Sequence, residues 1–173
     1  FVFEAVLVSN TSTHIHGNKL ALKRIHCPDH EWTQSSRAEA GIHRSLPQHD
    51  NLLELLGFKL EQLSSRECSV CYMLFPLIPT SLRGEMTERN LLKQENVRPR
   101  PFALKEVLAI FGGVLDGLSV MHAANISHRD VKIENILLKR GQGYRDGHGL
   151  SSRYIPVLMD FGSAGPLSTR LNS

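Results

Sequence analysis

The chain has 173 residues, 41% of them hydrophobic, with 20 Lys and Arg against 17 Asp and Glu and a formal net charge of +3. The charge is too small and too scattered to argue for nucleic acid, and no apolar stretch approaches the roughly 18 residues that a membrane span requires. Glu4 interrupts the short apolar start, no basic region precedes it, and Cys27, Cys68 and Cys71 make an odd count that suggests no disulfide framework, so a cytoplasmic, globular protein is expected.

Residues 1–8 alternate as a strand, and Thr11 to Asn18 is a polar insertion before a second strand near 19–26. In that strand Leu20 and Leu22 point to one face, Ala21 and Lys23 to the other. A helix follows from about Asp29 to Leu46, where Pro47 stops it; Trp32, Ala38, Ile42 and Leu46 mark its apolar stripe. Strands near 54–61 and 69–75 complete a small twisted sheet. The pair Cys68 and Cys71 has metal-ligand spacing but no second pair, and the alternation of Val70, Tyr72 and Leu74 makes it a strand beginning. His14, His16, His26 and His30 repeat no ligand pattern and are expected at the surface.

Phe75-Pro76-Leu77-Ile78-Pro79 then forms a stiff crossing, because proline fixes φ on both sides of two residues. Beyond it the pattern turns helical. A short helix is expected over 81–93, a proline-containing basic loop over 94–101, and a long helix over 102–124 with Val107, Phe111, Val114, Leu115, Leu118 and Met121 on one face. Gly112 and Gly113 inside that helix cost roughly 1 kcal/mol each relative to alanine, which signals close packing or a weak point. Lys139 to Arg153 is glycine-rich and polar, and is expected as a mobile surface insertion between two strands, not a phosphate cradle; a docking or phosphorylation role is the lesser reading.

Three short strings carry the chemistry: Leu20-Ala21-Leu22-Lys23, His128-Arg129-Asp130-Val131-Lys132-Ile133-Glu134-Asn135, and Asp160-Phe161-Gly162. Together they resemble the eukaryotic protein kinases. Ile133, where most members have proline, and the strings Ala21-Leu22-Lys23-Arg24, Val131 to Leu138 and Met159 to Ala164 resemble the Numb-associated kinase family, which comprises adaptor-associated, cyclin G-associated and serine/threonine kinase 16 types.

The resemblance implies an α+β, two-lobe kinase fold: residues 1–75 as part of the small lobe, 76–79 as the hinge, and 80–173 as part of the large lobe, ending in the activation segment. It implies ATP and Mg²⁺ as cofactors and a protein with a Ser or Thr hydroxyl as substrate. Phosphoryl transfer needs positioning and charge neutralisation more than covalent help. Asp130 would accept the hydroxyl proton and Lys132 touch the γ-phosphate, its lysine being the serine/threonine variant. Asn135 and Asp160 would hold metal, and Lys23 would touch phosphates while paired with Glu39, preferred over Glu31, whose carboxylate answers the helix dipole. Ala21, Pro76, Leu77, Ile78 and Leu137 would surround the adenine, Phe75 guard its rear, and Val2 or Val6 cover it. His128 is expected to pack and hydrogen-bond within its loop, leaving the base role to Asp130.

The glycine-rich loop that should precede Phe1 and the segments that should follow Ser173 make this a catalytic-domain fragment by that reading. Such a piece, taken alone, is expected to be inactive or poorly folded. The competing class is a pseudokinase or kinase-fold binding module acting by interaction, and traffic-related partners rest on resemblance alone.

Overall fold

A computed structural model describes residues 2–5, 19–63, 68–94, 101–145 and 151–167. The described chain divides into two compact units, one of Phe1–Ser45 with Leu53–Leu77 and the other of Leu46–Leu52 with Ile78–Ser173. The insertion at 11–18, most of the loop at 94–101, and Val6 lie outside the described residues.

Unit one is a four-stranded antiparallel sheet in the order β1-β2-β4-β3, built from β1 (Val2–Ala5), β2 (Leu20–Cys27), β3 (Gly57–Gln62) and β4 (Ser69–Pro76). The one helix, α1 (His30–Ser45), starts where the Asp29 carboxylate accepts the Trp32 N–H at 2.9 Å, an N-cap that satisfies one orphan amide. Leu20, Cys27, Ala40, Leu53, Val70, Cys71, Met73 and Phe75 fill the core. The cysteine pair takes the expected course, Cys71 lying buried on β4 and Cys68 just before it.

The apolar stripe expected on α1 is not the face that packs. Ser36, Glu39, Ala40 and His43 are the buried residues, while Trp32 is 56% exposed. Polar partners explain the rotation. Ser36 meets the Cys27 thiol, Glu39 meets Lys23, and His43 Nδ1 meets the Leu53 carbonyl at 3.1 Å. Burying hydrogen-bonded groups outweighs covering one tryptophan, which can lie on the surface at modest cost.

Unit two holds α2 (Leu82–Gln94), α3 (Leu104–Ala123), the hairpin β6 (Ile136–Arg145) with β7 (Ser151–Leu158), and a two-residue ladder of β5 (Ile126–Ser127) with β8 (Gly165–Pro166). Ser81 caps α2, its hydroxyl accepting the Gly84 N–H at 3.1 Å. At the start of α3 the Glu106 side chain reaches back to the Ala103 N–H at 3.0 Å.

Here too the expected stripe is rotated. Val114 and Met121 are buried, but Val107 and Leu115 are exposed, as is Phe111 at 60%. The face that packs carries Ala109, Ile110, Gly112, Gly113, Val114, Gly117 and Met121. A Cβ at Gly113 would lie 2.6 Å from Pro156 Cγ, and one at Gly117 would lie 3.0 Å from the Asn51 carbonyl oxygen. Small residues at 109, 113 and 117 let the helix approach β7 more closely than the bulky ridge could. Gly113 therefore marks close packing, not a weak point.

The two described ends of the expected insertion, 139–145 and 151–153, belong to strands β6 and β7. Lys139 and Arg140 sit opposite Ile155 and Tyr154, and after a shift in register Tyr144 and Arg145 sit opposite Ser152 and Ser151. A β-bulge accommodates the glycines that suggested a loop. Residues 146–150 lie outside the described residues.

Candidate active site

In unit one, β2 pairs with β4 so that Ala21 lies opposite Phe75 and Lys23 opposite Met73. Lys23 Nζ donates to Glu39 Oε1 at 2.7 Å, with the side chains 26% and 7% exposed. The pair joins strand to helix, and a carboxylate this deep needs its cation. Cys27 Sγ is 3.5 Å from Ser36 Oγ, and the Cys71 thiol is pushed up from 9.0 to about 11, by burial first and then by Cys27 and Glu39.

The crossing residues divide between the units after Leu77. Leu77 donates its N–H to the Lys19 carbonyl at 2.9 Å, which commits that donor within unit one. Pro76 has no N–H to donate. Val2 lies on β1. Leu137 lies on β6, bridged to Ser81.

In unit two the loop between β5 and β6 is a closed hydrogen-bond system. Lys132 Nζ donates to Asp130 Oδ2 at 2.6 Å, and Asn135 Nδ2 donates to the same oxygen and to the Asp130 carbonyl, both at 2.9 Å. The Lys132 ammonium, with help from Asn135, holds the Asp130 carboxyl below the usual carboxylate range; Asp130 in turn raises Lys132. Asp130 is therefore an ionised acceptor at neutral pH. His128 is buried, its Nδ1 accepting the Asp130 N–H at 3.3 Å and its Nε2 meeting the Met159 carbonyl at 3.2 Å, with an edge-on contact to Phe161. That is the packing role expected of it. By contrast with the exposed His26 and His30, His43 is also buried.

The hairpin brings the third string to the loop. Asn135 immediately precedes β6, Leu158 ends β7 opposite Ile136, and Met159 donates its N–H to the Asn135 carbonyl at 3.0 Å. Asp160 follows directly, in a left-handed conformation at φ 65° and ψ 77°, and its charge also raises Lys132. Because Asn135 spends its Nδ2 on Asp130, its Oδ1 takes no hydrogen bond among the described residues. A neutral oxygen and a carboxylate are the donors a hard divalent cation prefers, and one or two protein ligands suffice where phosphates supply the rest. The residues fit such an ion.

Three contributors gave no local signal in the sequence. Asn51, buried, donates from Nδ2 to the Pro156 carbonyl at 2.7 Å and accepts the Leu158 N–H on its backbone oxygen, so it fastens the strand that leads to Asp160. Arg83 pairs with Glu134, 51 positions away. Tyr154 donates to Glu85, which pairs with Arg89, itself stacked 3.8 Å over the Phe102 ring.

The Lys23–Glu39 pair lies in unit one, and the Asp130–Lys132–Asn135 loop with the hairpin that returns the Asp-Phe-Gly turn to it lies in unit two; each string is one that a protein-kinase sequence signature contains. The family model for the protein kinase domain matches residues 6–172, and the chain belongs to that family. Among its relatives, serine/threonine-protein kinase 16 of Rattus norvegicus and of Homo sapiens are each 32% identical over 148 residues, covering 85% of this chain and 42% of theirs. A probable serine/threonine-protein kinase of Dictyostelium discoideum is 29% identical over 168 residues, 95% of this chain and 13% of its own length. The chain thus spans less than half the length of these relatives. No helix among the described residues is long and apolar enough to cross a membrane.

Proposed function

We propose that this chain is catalytic machinery of a serine/threonine protein kinase that passes the γ-phosphoryl group of Mg-ATP to a protein hydroxyl in the cytoplasm. The observation that carries the reading is the Asp130 carboxylate, kept ionised by the 2.6 Å contact with Lys132 and oriented by Asn135. Asp130 accepts the proton of the Ser or Thr hydroxyl as its oxygen attacks phosphorus, and Lys132 neutralises charge on the moving phosphoryl oxygens. Lys23, oriented by Glu39, meets phosphate oxygens of the nucleotide; Ala21, Pro76, Leu77, Ile78 and Leu137 receive the adenine. Asn135 Oδ1 and Asp160 hold Mg²⁺, which when bound neutralises the phosphate oxygens.

The pseudokinase reading has less support, because a module acting by contact alone needs neither the Lys23–Glu39 pair nor a loop organised around an ionised aspartate. The test is Asp130→Asn in the protein with its natural flanking sequence, assayed with Mg-ATP and a serine- or threonine-containing protein. Transfer should be lost while nucleotide still binds. Turnover equal to that of the parent would discredit Asp130 as the base.

A further inference from the structure

Helix α1 is docked to its sheet mainly by polar groups. Of its buried residues, Ser36, Glu39, Ala40 and His43, Ala40 alone is apolar. The register of β2 with β4 sets Lys23 opposite Met73, Ile25 opposite Cys71 and Cys27 opposite Ser69, so all of these share one face of the sheet. On α1 the residues that meet this face recur at every third position. Thr33 Oγ1 lies 2.7 Å from Ser69 Oγ, and Ser36 Oγ lies 3.5 Å from Cys27 Sγ and also hydrogen-bonds the Cys71 thiol. Glu39 Oε1 accepts from Lys23 Nζ at 2.7 Å.

Apolar contact is non-directional and tolerates rotation of a helix about its axis, whereas a hydrogen bond does not. Ser36 stands one turn before Glu39 on the same side of α1, and its two thiol partners come from different strands. It therefore constrains both the rotation and the height of the helix where Glu39 meets Lys23. The helix itself has no need of a serine there. Alanine is the better helix former, and a hydroxyl on a residue only 4% exposed costs stability unless it is bonded.

We propose that Ser36 is a positioning residue for phosphoryl transfer: its hydroxyl, held by the thiols of Cys27 and Cys71, sets the rotation of α1 at which the Glu39 carboxylate engages the Lys23 ammonium. The proposal rests on the reading that Lys23 meets the nucleotide phosphates. Ser36 acts only through Glu39.

The test uses the protein in its natural sequence context. Without nucleotide, acylation of Lys23 by N-hydroxysuccinimidyl acetate reads the pair directly, with the exposed Lys59 as internal reference and peptide mass spectrometry as the readout. Ser36→Ala should speed acylation of Lys23 relative to Lys59 about fivefold and lower kcat/KM for ATP by about the same factor, with KM for the acceptor protein within about twofold of the parent. Ser36→Thr, which keeps the hydroxyl, should stay within about twofold of the parent in both measurements. In a Glu39→Gln background, Ser36→Ala should change neither by more than about twofold, because the group through which it acts is gone. Parental acylation in Ser36→Ala, an undiminished effect in the Glu39→Gln background, or a Ser36→Thr protein no better than Ser36→Ala overturns the proposal. A lower urea midpoint with unchanged Lys23 acylation marks a merely structural serine and overturns it too. Failure of the underlying reading is separate: Glu39→Gln would then speed acylation yet leave kcat/KM for ATP at the parental value.

Discussion

Replacing Gly113 by alanine sets two known effects against each other. Helix propensity favours alanine by about 1 kcal/mol. The added Cβ, however, would sit 2.6 Å from Pro156 Cγ, 3.0 Å from Pro156 Cδ and 2.9 Å from Asn51 Nδ2. Ordinary carbon contacts lie near 3.5–4.0 Å, so about 1 Å must be recovered against a rigid ring, and the helix has to move. Overpacking of this kind costs roughly 1–3 kcal/mol, and displacing Asn51 also strains its 2.7 Å bond to the Pro156 carbonyl. The net expectation is destabilisation by about 1–2 kcal/mol. Gly41, exposed on α1 with nothing within 4 Å of the place an added methyl would take, supplies the opposite sign: Gly41→Ala should stabilise by up to about 1 kcal/mol. Equilibrium urea unfolding followed by far-UV circular dichroism should move the midpoint down by several tenths of a molar for the first and up for the second. A Gly113→Ala protein as stable as its parent would refute the close approach of α3 to β7.

Glu39→Gln keeps the shape but removes the anion from a pair whose lysine is only a quarter exposed. With Lys23 no longer held, kcat/KM for ATP should fall about 10- to 100-fold, or roughly 1.4–2.7 kcal/mol, in steady-state kinetics; unchanged constants would mean that the pair serves the fold alone. The Cys71 thiol, raised to about 11 by burial, gives a pH signature. Its folded pKa lies above its ordinary 9.0, so the associated stability is complete below about pH 9 and is lost as pH climbs through about 11, a swing of roughly 3 kcal/mol. Urea midpoints of the parent should fall more steeply over that interval than those of Cys71→Ala, which keeps only the same-signed contribution of the buried Tyr154 hydroxyl; parallel curves would contradict the burial argument.

What could be read from the sequence was whatever is encoded locally. The spacing of Asp130, Lys132 and Asn135 lies within one loop, strand alternation gave the face of Lys23, and the kinase resemblance pointed to Glu39 on the next helix; order, type and approximate limits of the main elements were legible from local pattern. What was not legible depends on partners remote in the chain. The buried face of α1 is chosen by Cys27, Lys23 and Leu53, and that of α3 by Pro156 and Asn51; a hydrophobic stripe carries no information about either. The stretch after Leu138 has the composition of a loop but pairs as a hairpin, because the ladder supplied by 151–155 overrides weak local preference. Arg83 and Glu134 are each unremarkable surface charges until the fold sets them side by side.

The backbone around the loop shows why the sequence cannot be relaxed there. Among the described residues, Asn125, Arg129 and Asp160 are the non-glycine residues with positive φ, at 60°, 65° and 65°. Each such conformation is disfavoured, by about 1 kcal/mol or more for a side chain that lacks local hydrogen bonds. All three belong to unit two, and each sits at a place held by a neighbouring bond: Leu167 donates its N–H to the Asn125 carbonyl at 3.0 Å, Arg129 Nη2 donates to the Pro166 carbonyl at 2.7 Å, and Met159 bonds Asn135 just before Asp160. The β5–β8 ladder closes the same ring, and a Cβ at Gly165 would strike the Arg129 guanidinium at 2.8 Å. Two of the three positions, Arg129 and Asp160, adjoin the Asp130 loop or the Asp-Phe-Gly turn, the third is the turn from α3 into β5, and the bonds beside them run between the 125–135 stretch and residues 159–167. Loosening either partner should therefore disturb both carboxylates together, which is why the loop and the Asp-Phe-Gly turn act as one structural element although His128 and Met159, which they join, lie 31 positions apart in the chain.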